Sequence, residues 1–351
     1  MRNTTLKDVA MLAGVTASTV SYVLNDNKKQ SISEETRGRV MDAAAKLNYV
    51  PNNAARILKN NRSGNIGVVL GKTLALERFA RTVQGIRSRL FQDGYNVLLC
   101  SPYRGNGVYA DYLESYLKNF LDGLVFIGRD NVGPTAEEID ILKKFRIPLV
   151  IFDCFSDEGL SAIDFDYQGG SYSLVKELLE ERFDKVTYIR PEAENAQEQL
   201  REAGVRAAIM EYEGISFEVA RFPIDNADLV MFDGDVENYQ TSISNSIDCS
   251  LKDILRRKLH EDHSTELVIS SWGPIMDRIE EIYNTAGRKV KFASLAEPAT
   301  YGNAKGRVSY CILDHIGAGA ECADLLLDLI NGIQDSNVPQ RKIIKVNHIL
   351  R

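Results

Sequence analysis

The side chains best suited to chemistry in this 351-residue chain crowd one short stretch, Thr16-Ala17-Ser18-Thr19-Val20-Ser21-Tyr22. Small hydroxyls and a phenol are groups that hydrogen-bond to base edges and phosphates. If the stretch is a helix with Val20 turned inward, Thr16, Ala17, Ser18, Thr19, Ser21 and Tyr22 face outward together and can enter a major groove. Other chemistries find less support. Residues 313–322, LDHIGAGAEC, carry a partial dinucleotide fingerprint in Gly317-x-Gly319, but Cys322 takes the third small position and no acidic βαβ unit follows. His260 and His263 form H-x-x-H without a further ligand nearby, which reads as a solvated helix end. No Ser-His-Asp or paired-carboxylate arrangement stands out, so neither a catalytic residue nor a metal nor a cofactor is assigned, and an enzyme is not expected.

The elements that position the hydroxyl stretch are short helices. Leu6 to Ala13 reads as the first, capped at Thr4/Thr5, with Val9, Ala10 and Ala13 on its apolar face. Gly14 stops it and Val15 anchors a tight turn. Thr16 caps a second helix to about Leu24, with Val20 and Val23 inward. Ser33 caps a third, whose core face is Val40, Ala43, Ala44 and Leu47. A small residue at the helix contact, a turn glycine and an apolar turn anchor are what a helix-turn-helix requires. A plain helical hairpin would show the same spacing.

From Ile66 onward, strand-like runs alternate with helical segments: IGVVL, YNVLLC, GLVFIG, PLVIFD, KVTYIR, FEVARF, DLVMF, ELVIS, KFASL and VSYCIL. Helical patterns fall at 77–93, 109–120, 136–145, 169–182, 196–212, 237–260, 274–286 and 316–331. The alternation predicts parallel sheets with helices on both faces, here as two doubly wound lobes with a ligand cleft beyond the strand ends.

Charge divides the chain in the same place. Residues 1–62 hold ten Lys/Arg against five Asp/Glu, a net of +5, so the remainder carries −12 of the overall −7. A basic module on an acidic body suits a protein whose front end meets a polyanion. The N-terminus MRNTTLKDVA has no apolar stretch, and no apolar run reaches membrane-spanning length. Cys100, Cys154, Cys249, Cys311 and Cys322 are odd in number and mostly lie in apolar runs, as expected of reduced, buried thiols. These features predict a cytoplasmic protein.

Residues 4–60 resemble the headpiece of the lactose-repressor/galactose-repressor (LacI/GalR) family of bacterial regulators. The match runs through Thr5, Leu6, Asp8, Val9, Ala10, Ala13, Gly14, Val15, Thr16, Thr19, Val20, Ser21, Val23, Leu24 and Asn25. It continues at Thr36, Arg37, Val40, Ala43, Leu47, Tyr49, Pro51, Asn52, Ala55, Arg56 and Leu58. The resemblance implies that Ala17, Ser18 and Tyr22 read bases. Tyr22 departs from the Arg or His often found there, leaving the preferred bases open. It implies that Leu6, Thr16, Thr19, Ser21, Asn25, Tyr49 and Asn52 hold phosphates. The hinge Asn53 to Asn60 is then expected to order as a helix on DNA, with Leu58 wedged into the minor groove and Lys59 beside it.

The resemblance implies a fold of an all-α helix-turn-helix headpiece followed by an α/β periplasmic-binding-protein-like domain of two doubly wound parallel-sheet lobes. The expected boundaries are 1–50 for the headpiece, 51–62 for hinge and linker, and 63–351 for the effector and dimerisation domain. Lobe 1 is expected at about 63–162 and 292–318, and lobe 2 at about 163–291 and 319–351. The implied partners are double-stranded operator DNA, a second copy of the chain and a small-molecule effector. No leucine-heptad tail follows KIIKVNHILR, which favours a homodimer over a tetramer.

Arg201 falls where the family clamps effector hydroxyls or carboxylate, and Asp153 ends the fourth strand facing the cleft. Trp272, the single tryptophan, offers a stacking platform or a packing residue. The usual Asn-Asp reads Ser271-Trp272 and the usual Gly-Phe-Asp-Asp reads Ser294-Leu295-Ala296-Glu297. Control by a non-sugar metabolite or a partner protein is therefore a rival to sugar binding. A solute-binding protein without a DNA role is a second rival, against which the basic headpiece counts.

Overall fold

The computed structural model describes residues 4–24, 30–49, 62–71, 74, 76–128, 133–155, 159–225, 252, 265–285, 290–300, 302–335 and 338–351. Asn25, Asn52, Leu58, Lys59, Cys249, the DLVMF run, the 237–260 segment apart from residue 252, and the H-x-x-H pair lie outside them. The chain divides into two compact units, Met1–Ser63 and Gly64–Arg351.

Among the described residues, the first unit contains α1 (Leu6–Ala13), α2 (Ala17–Leu24) and α3 (Glu34–Lys46). Each start is fixed by a short polar side chain. The Thr5 amide donates to Asp8 Oδ2 at 2.8 Å, and the Thr36 amide donates to Ser33 Oγ at 3.3 Å. Gly14 ends α1 in the left-handed region at φ 67°, which any residue with a Cβ resists. Val9, Val20, Val23 and Val40 close the small core with Ala10, Ala13, Ala43 and Ala44.

Among the described residues, the second unit holds two six-stranded sheets. The first contains β1 (Asn65–Leu70), β2 (Asn96–Cys100), β3 (Gly123–Ile127), β4 (Leu149–Phe152), β5 (Ser161–Phe165) and β11 (Arg341–Ile344). Its order is β11-β5-β4-β3-β1-β2, with every pairing parallel. The second contains β6 (Lys185–Pro191), β7 (Ser216–Phe222), β8 (Glu266–Ser270), β9 (Lys291–Ser294), β10 (Ser309–Ile312) and β12 (Asn347–Ile349). Its order is β12-β10-β9-β8-β6-β7, and only β12 runs antiparallel. Helices α4 (Glu77–Gln92), α5 (Asp111–Leu117), α6 (Ala136–Lys144) and α10 (His315–Ile330) accompany the first sheet. Helices α7 (Tyr167–Leu178), α8 (Ala196–Ile209) and α9 (Met276–Thr285) accompany the second.

The expected lobe boundaries need correction in their second half. Residues 292–318 were expected in lobe 1, yet β9 pairs with β8 and β10 with β9, both in the second sheet. Residues 319–351 are expected in lobe 2, yet α10 packs on α4 and β11 pairs with β5 in the first sheet, and only β12 joins the second. A fully buried parallel strand has the same apolar pattern whichever sheet it joins, so the sequence pattern cannot assign it. The chain passes between sheets after β5, after β10 and after β11.

The Gly317-x-Gly319 pattern serves packing between helices. A Cβ at Gly319 would lie 2.2 Å from the Thr82 carbonyl oxygen on α4, and one at Gly85 would lie 2.0 Å from the Ile316 carbonyl oxygen. Both glycines let α4 and α10 approach backbone to backbone. Cys154, Cys311 and Cys322 are buried and Cys100 is half-buried.

Candidate functional site

In the headpiece, the α1–α2 turn is pinned by the Val15 amide, which donates to the Ala10 carbonyl at 3.1 Å. Thr16 Oγ1 accepts from the Thr19 amide at 3.1 Å and lies 2.9 Å from Thr19 Oγ1, so Thr16 caps α2. Val20 and Val23 face the core, leaving Ser18 exposed and Ala17, Thr19, Ser21 and Tyr22 half-buried along the other side. Leu6 and Tyr49 are half-buried against the headpiece core. Thr4 Oγ1 donates to the Leu47 carbonyl at 3.1 Å and ties the N-terminus to the end of α3.

In the larger unit, the three residues singled out in the sequence converge at the carboxyl ends of strands. Asp153 follows β4 in the left-handed region, at φ 55°. The Tyr167 hydroxyl, at the start of α7, donates to the Asp153 carboxylate, with both oxygens at 3.1 Å. The Arg201 guanidinium, on α8, lies 4.4 Å over the Tyr167 ring and donates to Glu198 Oε1 at 2.9 Å. Trp272, just beyond β8, donates from its indole N–H to the same Glu198 oxygen at 3.0 Å and meets Phe222 edge-on at 5.4 Å. Gln197 Nε2 donates to the Asp153 carbonyl at 3.2 Å, joining α8 to the end of β4.

Glu198 and Tyr167 were not singled out in the sequence. Asn195 caps α8 by accepting from the Glu198 amide at 2.9 Å, so Glu198 has the spacing of an ordinary capping-box acid. Its side chain instead turns inward, with the residue 2% exposed. Glu297, at the place of the missing family carboxylate, accepts from Arg81 on α4 at 3.0 Å and lies 3.7 Å from Lys305. Thr300 Oγ1 donates to Glu77 at 2.8 Å, a second tie between α4 and the loop after β9.

Burial pushes the Asp153 carboxyl up to about 7, against Arg78, the Tyr167 hydrogen bond and Arg201, with Asp164 adding to the rise. Burial, reinforced by Arg78, Arg81 and Arg201, pulls His315 down to about 3. These shifts act on stability with opposite signs. The unfolded chain alone protonates His315 between about pH 6.5 and 3, so that contribution is lost as pH falls. The folded chain alone holds the Asp153 proton between about pH 3.8 and 7, so stability is lost there as pH rises. Each slope approaches ~1.4 kcal/mol per pH unit, and the two offset each other where they overlap. Asp153→Asn removes one of them. Its stability relative to wild type, measured by urea unfolding, is expected to climb between about pH 4 and 7; a flat difference contradicts the assignment.

A small helix-turn-helix unit precedes a two-lobed α/β domain with polar groups gathered where its strands end. Residues 5–52 match the bacterial regulatory proteins of the lacI family. The chain is 33% identical over 212 residues to the HTH-type transcriptional repressor PurR of Vibrio vulnificus (strain CMCP6), covering 59% of this chain and 61% of that protein. The PurR of Haemophilus influenzae (strain PittEE) is 30% identical over 208 residues, with 59% and 60% covered. The matched region thus spans about three fifths of these curated relatives. Among solved structures, the lac repressor dimer bound to operator and the anti-inducer ONPF superposes with a TM-score of 0.72 at 21% identity, covering 100% of this chain and 98% of that one. A CelR–cellobiose complex gives 0.59 at 21% identity, with 99% of each chain covered. The first unit thus carries the lacI-family match, and the whole chain shares the fold of the lac repressor.

Proposed function

We propose that this protein is a cytoplasmic, sequence-specific DNA-binding transcription regulator, a repressor by default, governed by a small-molecule effector in the cleft between its lobes. The observation that carries the reading is α2, a capped helix that buries Val20 and Val23 and turns Ser18 and Tyr22 outward, in a domain matching the lacI family. Ala17, Ser18 and Tyr22 read base edges in the major groove. Leu6, Thr16, Thr19, Ser21, Asn25, Tyr49 and Asn52 hold phosphates, while Leu58 and Lys59 enter the minor groove. The relatives, transcriptional repressors by sequence and an operator-bound dimer by structure, support this reading. Among the described residues no helix is long and apolar enough to cross a membrane.

The protein acts as a homodimer on a pseudo-palindrome, with two α2 helices in successive major grooves. Strand β2 lies at the edge of the first sheet with Leu98 43% and Leu99 55% exposed, an apolar edge that a second copy would cover. Effector binding to Asp153, Arg201 and Trp272 shifts the lobe angle. The Arg81–Glu297 and Glu77–Thr300 ties hold the lobes in the present arrangement.

Retention of genomic fragments by the purified chain tests the reading. Tyr22→Ala is expected to change which fragments are retained and to weaken the preferred ones by roughly 10-fold or more, equivalent to about 1–3 kcal/mol of base discrimination. An unchanged fragment set at unchanged affinity would refute base reading by α2.

A further inference from the structure

The polar cluster at the strand ends contains a carboxylate that already occupies the arginine expected to meet an effector. Glu198 Oε1 accepts from Arg201 at 2.9 Å and from the Trp272 indole at 3.0 Å, with Glu198 2% and Arg201 7% exposed. Five side-chain polar atoms among the described residues are buried without a hydrogen-bond partner. Three belong to this cluster or its immediate surroundings: Glu198 Oε2, Arg201 Nε and the hydroxyl of Tyr188, whose charge environment is set first by Glu198 and Arg201. A fourth, Ser271 Oγ, belongs to the residue preceding Trp272. Buried polar atoms are nearly always paired in a folded protein, so such a group of unpaired atoms marks a place where a ligand completes the pairing.

The inventory of unused groups favours one kind of ligand. The Asp153 carboxylate receives a single phenolic hydrogen from Tyr167 across two oxygens, and Glu198 Oε2 receives none. Against these acceptors stand the Arg201 donors left over from its bond to Glu198, among them the buried Nε, while the Tyr188 and Ser271 hydroxyls serve either way. A carboxylate ligand brings only acceptors, so it leaves Glu198 Oε2 without a hydrogen and adds a further negative group beside Glu198 and Asp153. A polyol brings donors and acceptors together and leaves the surplus in place. An ammonium or amidinium group brings donors alone, and the Trp272 ring nearby suits a cation.

We propose that Glu198 determines effector class in this cleft, and that the effector is a small compound whose binding group is a nitrogen cation donating to Glu198 Oε2 and Asp153. The assignment rests on the cleft being the effector site, as proposed above. The Glu198–Arg201 pair excludes anionic effectors, so this sensor selects for the opposite charge.

Thermal melting of the full chain with agmatine, putrescine, benzamidine, acetate or D-ribose, at constant chloride, tests the assignment. At least one of the three cations is expected to raise the melting temperature by roughly 2–4 °C near saturation, while acetate and ribose leave it unchanged. Glu198→Ala frees Arg201, loses the cation response and gains one to acetate. Glu198→Gln keeps the side-chain shape, so it is the control for folding, and it also loses the cation response. A wild-type response to acetate or ribose, no response to any of the cations, or a cation response that survives in Glu198→Gln overturns the assignment. Duplex retention by the same preparations separates the two readings. Loss of duplex binding with an intact cation response refutes the regulator and leaves the ligand class, and the reverse result refutes only the ligand class.

Discussion

Val20→Asp is expected to abolish specific duplex binding while the larger unit melts where it did before. Val20 is 0% exposed in a headpiece core of valines and alanines that contains no cation to pair with a new carboxylate. Burying an unpaired charge costs several kcal/mol, and a unit of about 60 residues has little more than ~5 kcal/mol of stability to lose. The substitution therefore unfolds the headpiece and with it the geometry of α2. Residues 64–351 form a separate compact unit, so their transition is expected to stay in place. Calorimetry paired with gel retardation reads both effects. Full duplex binding by this variant would mean that α2 is not the reading element.

Glu202→Ala is expected to destabilise the larger unit by about 3–5 kcal/mol, the cost of removing one member of a buried ion pair. Arg190 is 1% exposed and donates to Glu202 Oε2 at 2.7 Å, to the Pro191 carbonyl at 3.0 Å and to the Ala193 carbonyl at 2.6 Å. Glu202 also accepts from Arg206 at 2.6 Å and Arg221 at 3.3 Å. Its loss leaves the Arg190 charge in the interior with only the half-exposed Glu194 at 3.4 Å. Arg190 organises the loop that leads into α8, and α8 presents Glu198 and Arg201, so ligand response should fall along with stability. The midpoint of urea unfolding measures the first effect, and a drop under 1 kcal/mol would show that Arg190 is held by its carbonyl contacts alone.

The headpiece was legible because its signals are local. Gly14, the caps at Thr5, Thr16 and Ser33, and the spacing of Val9, Val20 and Val40 each fix structure within a few residues. Asp153, Arg201 and Trp272 lie near one another because each sits at or just past a strand end or in the first turns of the helix that follows. Strand β5 escaped notice because its S-A-I-D-F run carries a polar residue into the core. Asp164 is fully buried there, accepting from Arg341 at 3.1 Å and from the Phe155 amide at 3.2 Å. Both partners are distant in pattern from the strand itself. Glu198 was hidden by its own cap, since an acid three residues after Asn195 ordinarily points to solvent. Sheet membership of β9, β10 and β11 depends on strand order, which no stretch of sequence records locally.

Selection of duplexes from a random pool, run with the wild-type chain and with Leu58→Ala, tests sequence-specific operator recognition most directly. The expected result is a pseudo-palindrome with a deformable central step, enriched by the wild type and lost or weakened by the variant. Recovery of no sequence above background, with and without added cell extract to supply an effector, would contradict the assignment of this chain as a DNA-reading regulator.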